Sequence, residues 1–191
     1  MPRSHPAPKP LAGLYLPQIR MDFGSIEARA RAAEAAGYHS VWFMDHLAPP
    51  AGRELDCLES WTVATAVAMR AERIRVGHLV LSNELRHPAL LAKMAASLDV
   101  DSGGRLELGL GWGSAPRELD DYGFGDPGAE LRAERRFGAW GGVVAGTPDE
   151  VAAALRKERD AGAELFICQF HDFGKPETIR LFAEEVLPAL A

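Results

Sequence analysis

The chain has 191 residues, 47% of them apolar and 25% charged, and carries a formal net charge of −6. That length suggests one domain with a sizeable core. The acidic balance, with no Lys/Arg cluster against it, argues against nucleic acid as a partner, and no apolar stretch approaches a membrane span.

MPRSHPAPKP (residues 1–10) lacks the apolar centre of a signal peptide and reads as a short disordered tail. LAGLYLP (Leu11 to Pro17) is an apolar run suited to a buried strand. A helix capped by Ser25 is expected through Ala36, with Ile26, Ala30 and Ala33 on one face and Gly37 past its end. SVWFMDHL (Ser40 to Leu47) is a second strand, and a helix near Glu59 to Arg70 carries Trp61, Ala64 and Ala68 at helical spacing. RIRVGHLVLSN (Arg73 to Asn83) is a third strand, and Pro88 suits the first turn of the next helix, where Leu90, Met94 and Leu98 form a stripe. That helix stops at Asp101-Ser102-Gly103-Gly104, and RLELGLG (Arg105 to Gly111) is the fourth strand.

Strand starts near 11, 40, 73 and 105 give a period of about thirty residues, the size of one βαβ unit, and so imply parallel strands with helical crossovers. The period alone does not choose between a doubly wound sheet and a barrel. Residues 112 to 127 read as an exposed loop, and Glu130 to Phe137 as a charged helix. GGVVAG (141–146) offers a fifth strand. Thr147 would cap the next helix, with Pro148 first inside it and Glu150 closing a capping box. AELFICQF (Ala163 to Phe170) is a sixth strand, and a last helix from Pro176 buries Ile179, Phe182, Val186 and Leu190.

In parallel α/β folds ligands bind at the carboxyl ends of the strands. Those ends hold Leu16, Pro17 and Gln18; Asp45 and His46; Ser82 and Asn83; Gly109 to Gly113; and Phe170, His171 and Asp172. Asp45 and His46 are neighbours on a strand and point to opposite faces, so they cannot chelate one metal together. They read equally well as a turn residue and a rim histidine. His171-Asp172 sits in a plain loop before Gly174 and Pro176, and mid-strand His78 reads as a hydrogen-bonded core residue. Cys57 and Cys168 form no CxxC pair, which indicates neither a disulfide framework nor a thiolate metal site; no metal is expected, and a cytoplasmic location fits.

Gly109, Gly111 and Gly113 stand at alternate positions where a buried strand ends. Glycine in a strand packs nothing, so the run implies close approach by a neighbouring chain, a sharp turn or a flat ligand. It is not a dinucleotide fingerprint, because the GxGxxG spacing and the later acidic residue are missing.

Taken together, RARAAEAAGYHSVWFMDHL, RIRVGHLVLSNELRHPALLAKMAASLDVDSGGRLELGLGWGSAPRELDDYG and GTPDEVAAALRKERDAGAELFICQFHDFGKPETIRLFAEEVLP resemble the bacterial luciferase-like flavin- and deazaflavin-dependent oxidoreductases. GGRLELGLGWG followed by Glu118 and Tyr122-Gly123 is most similar to members that use the deazaflavin F-420; FMN is the alternative. The resemblance implies a (β/α)8, TIM-barrel-like parallel barrel with the cofactor across its mouth. It implies that His46 handles a proton while a hydride passes to or from a small organic substrate. It further implies that Asp45, Ser82, Asn83, Gly109, Gly111, Trp112 and Gly113 line the cofactor site, and that a non-proline cis peptide falls at Ser82-Asn83.

Such a barrel needs about 200 to 250 residues or more, and this chain offers six strands in place of eight, with an internal deletion near 137–141 in a single domain, 11–191. The expectation is therefore an incomplete barrel, either an oxidoreductase or a catalytically inactive flavin-binding or structural remnant. Open sheet edges invite pairing, so a homodimer is expected.

Overall fold

A computed structural model describes residues 10–50, 52–111, 115–124, 144, 146–170, 172 and 174–190. The apolar runs at 11, 40, 73, 105 and 163 all form strands: β1 (Leu11–Tyr15), β2 (Ser40–Phe43), β3 (Arg75–His78), β4 (Leu81–Ser82), β5 (Leu106–Glu107), β6 (Leu110–Gly111) and β7 (Leu165–Cys168). Two of the expected strands are each broken in two. The third bends at a cis peptide bond between Leu79 and Val80, and the fourth bends beside it at Leu108 and Gly109. Past the bend β4 pairs with β6 in parallel, Leu81 opposite Leu110. The expected helix at 130–137 and, apart from positions 144 and 146, the expected strand at 141–146 lie outside the described residues, as do Trp112, Gly113 and His171.

The main sheet is wholly parallel, in the order β5-β3-β2-β1-β7. The last strand thus lies beside the first, with Leu11 opposite Leu165 and Leu14 opposite Cys168. The helices are α1 (Phe23–Ala35), α2 (Ser60–Arg70), α3 (Pro88–Asp101), α4 (Pro116–Asp121), α5 (Pro148–Asp160) and α6 (Pro176–Leu181). Beyond α6 a π-turn and a 3-10 turn carry the chain to Leu190.

Side chains of α1, α2, α3, α5 and α6 all pack into one cluster with Leu14, Val41, Phe43 and Val76 of the strands. A doubly wound sheet would carry helices on both faces; helices on one face only are the barrel arrangement. Among the described residues β5 and β7 do not pair with each other, so the barrel is incomplete.

The opposite face of the sheet is of another kind. Tyr15, Trp42 and Met44 form a small buried group there, with Leu79 and Ile167 against it. Trp42 lies across its neighbours: a Cβ on Gly13 would meet the Trp42 indole nitrogen at 2.7 Å, and one on Gly77 would meet its ring at 2.8 Å. The two glycines make room for one large aromatic on the inner face, and the indole N–H donates to Ser40 Oγ at 2.8 Å.

Local signals account for most helix boundaries. Glu59 caps α2 by accepting from the amides of Trp61 and Thr62. His87 caps α3 ahead of Pro88, and the Thr147–Glu150 capping box opens α5. Ser25 is not the cap of α1. Asp22 is, accepting from the Ser25 amide at 2.7 Å, because a carboxylate three residues upstream reaches that orphan donor.

On α3 the buried residues are Leu91 and Leu98, and Leu90 is exposed. A one-residue rotation of the apolar stripe is enough to exchange the two leucines. Residues 116–121 are helical, where a loop is expected, because Pro116 starts the turn and Leu119 is buried.

Candidate functional site

The carboxyl ends of β1 to β4 converge on a set of buried polar contacts. Gln18, fully buried, spans two segments. Its amide donates to the Met44 and Leu58 carbonyls at 2.8 and 3.1 Å and accepts from the Met44 amide at 3.2 Å. This is a main-chain brace, and it uses both ends of the side chain.

Asp45 leaves β2 and is buried. It receives the Ser82 amide at 2.8 Å and a two-pronged contact from Arg86, whose guanidinium nitrogens stand at 2.6 and 2.9 Å. Arg86 reaches on to Glu59 at 2.6 Å, so a single guanidinium bridges the β2 end and the start of α2. Such planar, bidentate pairs hold direction as well as charge. The ordered consequence is that the chain after the bend at Leu79-Val80 is fixed to β2. Arg86 was not legible from sequence: nothing in ELRHP distinguishes a surface arginine from one aimed at a carboxylate 41 residues away.

His46, the next residue, lies half-buried. Its Nδ1 stands 2.8 Å from Glu118 Oε2. The other oxygen of Glu118 accepts from the Leu47 and Ala48 amides, the latter at 3.0 Å. Burial pushes the Glu118 carboxyl up, yet the bonds from His46 and the two amides outweigh it and hold the group below the usual carboxylate range. His46 Nε2 has no hydrogen-bond partner among the described residues, and neither have the side chains of Ser82 and Asn83.

The alternate glycines can now be explained in part. A Cβ on Gly109 would meet the His78 carbonyl oxygen at 2.2 Å, and one on Gly111 would meet a Val80 methyl at 2.2 Å. Both glycines therefore face the neighbouring chain; of the three possible causes, close main-chain approach is the one present. The cis peptide stands at Leu79-Val80 and not at Ser82-Asn83, three residues earlier than the resemblance implies. Val80 rests on the glycines and is 41% exposed, presenting an apolar ledge at the same end of the sheet as His46.

His78 is fully buried and stacks on Trp61 at 5.0 Å, 5° from parallel. Neither ring nitrogen has a hydrogen-bond partner of good geometry, contrary to the expected hydrogen-bonded core histidine. Burial drives its pKa down to about 4 and keeps it neutral, so stacking and not polar pairing holds it. Asp172 turns inward on its own loop, accepting from the Gly174 amide at 3.0 Å and from the Thr178 hydroxyl at 2.5 Å. It organises the start of α6. Among the described residues no group of three or more His, Cys, Asp or Glu side chains is placed to hold a metal.

A planar ring with a polar edge suits what these ends present: an exposed Val80 ledge, an imidazole nitrogen without a partner, and the polar side chains of Ser82 and Asn83. No described helix is long and apolar enough to cross a membrane.

Comparison with known proteins bears on the same region. The chain is 34% identical over 117 residues to the F-420-dependent hydroxymycolic acid dehydrogenase of Mycobacterium tuberculosis, covering 59% of this chain and 32% of that protein. Among solved structures, the coenzyme F-420-dependent tetrahydromethanopterin reductase of Methanopyrus kandleri superposes with a TM-score of 0.51 at 26% identity. That match covers 61% of this chain and 30% of the other. The monooxygenase RslO1 of Streptomyces bottropensis gives a TM-score of 0.71 at 17% identity, over 95% of this chain and 100% of that one, a likeness of fold. The chain thus spans about a third of the length of the F-420-dependent relatives it matches. The profile of the luciferase-like monooxygenases matches residues 3–139, most of the sequence, and the chain belongs to that family.

Proposed function

We propose that this chain binds a deazaflavin of the F-420 type across the carboxyl ends of β1 to β4 and takes part in hydride transfer with a small organic substrate. FMN, with monooxygenation, is the alternative chemistry of the same site. The observation that carries this reading is His46: its Nδ1 is tied to Glu118 at 2.8 Å, and its Nε2 is left without a partner among the described residues, at the same end of the sheet as the exposed Val80. The F-420-dependent relatives named above support the choice of cofactor.

When bound, a deazaflavin supplies the hydride carrier, chemistry that no side chain provides. The protein's part is orientation and proton handling. Val80, seated on Gly109 and Gly111, would offer its apolar side chain to the ring, and Trp112 and Gly113 are proposed to line the same site. Ser82 and Asn83 would hold the cofactor through hydrogen bonds from their polar side chains. Asp45 contributes through others, holding the Ser82 amide and Arg86 in place. His46 would take the substrate proton as hydride leaves the substrate and return it in the reverse direction, with Nε2 as the atom that holds it.

A second reading, a catalytically inactive flavin-binding or structural member, rests on the incomplete sheet: β5 and β7 are unpaired with each other among the described residues. Such edges are sites for pairing, and a homodimer follows under either reading. Titration of the purified protein with F-420 and with FMN, followed by absorbance and fluorescence, separates the two cofactors, and turnover with the bound cofactor separates enzyme from remnant. Saturable binding of F-420 at micromolar affinity or tighter is the expected result. Binding of neither cofactor by a folded sample would sink the reading. Sedimentation at micromolar concentration tests the dimer.

A further inference from the structure

We infer that Glu118 is a positioning residue that fixes the tautomer of His46, so that Nδ1 carries the proton and Nε2 presents a lone pair to the substrate. The inference rests on the role proposed for His46, but its central claim concerns the protein alone.

The argument is one of donor and acceptor counting. Glu118 Oε1 faces two main-chain N–H groups, those of Leu47 and Ala48, which can only donate. Its pKa is held below the usual carboxylate range, so at neutral pH the group is ionised and both oxygens only accept. Oε2 lies 2.8 Å from His46 Nδ1, so Nδ1 must supply the hydrogen. A neutral imidazole has one N–H, and Nε2 is then the acceptor. Free histidine in water prefers the opposite tautomer, so this choice is made by the protein.

The arrangement is built with redundancy. Glu118 sits on α4 and its carboxylate is 9% exposed. The same helix is tied to the loop after β2 by the Arg53–Asp121 ion pair, and Tyr122 just beyond it points its hydroxyl at the Leu47 carbonyl at 3.5 Å. When Nε2 gains a proton, the positive ring is stabilised by the carboxylate already bonded to it. The same three-part logic, a base oriented by a buried carboxylate, recurs on unrelated folds.

The substitution Glu118→Gln gives a sharp test. The side chain keeps its shape, and its single carbonyl oxygen is claimed by the two amides. The NH2 group must then face His46 Nδ1, which becomes an acceptor, and the tautomer inverts to Nε2–H. Ring nitrogen shifts of ¹⁵N-histidine-labelled protein report this directly, with the His46 signals assigned by their loss in His46→Ala.

The expected result is Nδ1–H in the native protein and Nε2–H in E118Q. Nε2–H in the native protein, or one unchanged tautomer in both, would overturn the inference; the native measurement stands even if E118Q does not fold. With cofactor present, E118Q should lower kcat by roughly 100-fold or more, the range of a positioned acid–base group, with KM nearly unchanged. An inverted tautomer with unchanged kcat would remove the positioning role. Failure of the protein to bind F-420 or FMN would defeat the proposed function and leave the tautomer assignment intact.

Discussion

Two glutamates at opposite ends of one sheet collect main-chain amides in nearly the same way. At the amino ends of the strands Glu34 accepts from Arg73, Ile74 and Glu72, at 2.5, 2.8 and 3.1 Å, and so joins α1 to the chain entering β3. At the carboxyl ends Glu118 accepts from Leu47 and Ala48 and joins α4 to the chain leaving β2. In both, burial raises the carboxyl pKa and the bonds to it more than compensate. Gathering amides is therefore architecture, common to both ends. The difference is an imidazole. Glu118 also holds His46, whereas the amino-end histidine, His39, stands 3.6 Å from a Glu107 that is already paired with Arg75.

If that difference is the functional one, the two histidines must respond differently. His46→Ala should lower turnover by about 10²- to 10⁴-fold with cofactor binding retained, the range for loss of a general acid–base group. His39→Ala should leave turnover unchanged. Equal effects in steady-state kinetics would erase the contrast between the two ends.

The next effect in size falls on stability. Glu34→Ala leaves three amides at the entrance to β3 without their acceptor and should cost about 1–3 kcal/mol in chemical denaturation, with no change in cofactor affinity. Loss of affinity on that substitution would mean that the amino end communicates with the site.

Acid sharpens the comparison further. Both glutamates have folded-state pKa values below their unfolded ones, so each contributes stability that is full above the ordinary Glu value near 4.3 and is lost as pH falls through the lower folded value. Tm should be flat from pH 7 to about pH 5.5 and should then fall; E118Q should show a shallower fall in that window. An unaltered slope would mean that the His46 and amide bonds do not hold the carboxylate in solution.

The smallest effect belongs to Tyr122→Phe. A contact of 3.5 Å to the Leu47 carbonyl is at the limit of a hydrogen bond, and its loss should cost no more than about 0.5 kcal/mol in the same denaturation assay.

Much of the fold was legible in the sequence because it is locally encoded. Apolar runs recurring about every thirty residues gave every described strand of the main sheet, and the helix faces led by Ile26, Trp61 and Ile179 are buried as their spacing demands. The cap at Thr147 required only a side chain that reaches the amide three residues ahead, whereas the caps at Glu59 and His87 emerge from the structure. The errors were also local: Asp22 in place of Ser25, Leu91 in place of Leu90, and a short helix where a polar loop was read. At those points neighbouring residues are nearly equivalent, and packing makes the choice.

The site was legible only in outline. Sequence placed Asp45, His46, Ser82 and Asn83 at strand ends, because parallel strands expose their carboxyl ends together. It showed neither that Asp45 is bound by Arg86 across 41 positions nor that His46 is bound by Glu118 across 72. The alternate glycines were conspicuous in one dimension, but what they make room for, the His78 carbonyl and Val80, lies on another strand. By itself the sequence determined which residues become strand, helix or cap, since those choices rest on period and reach along the chain. Tertiary structure alone decided which carboxylate meets which cation or imidazole, since that depends on strand register and on where α4 docks, and neither is written in any single segment.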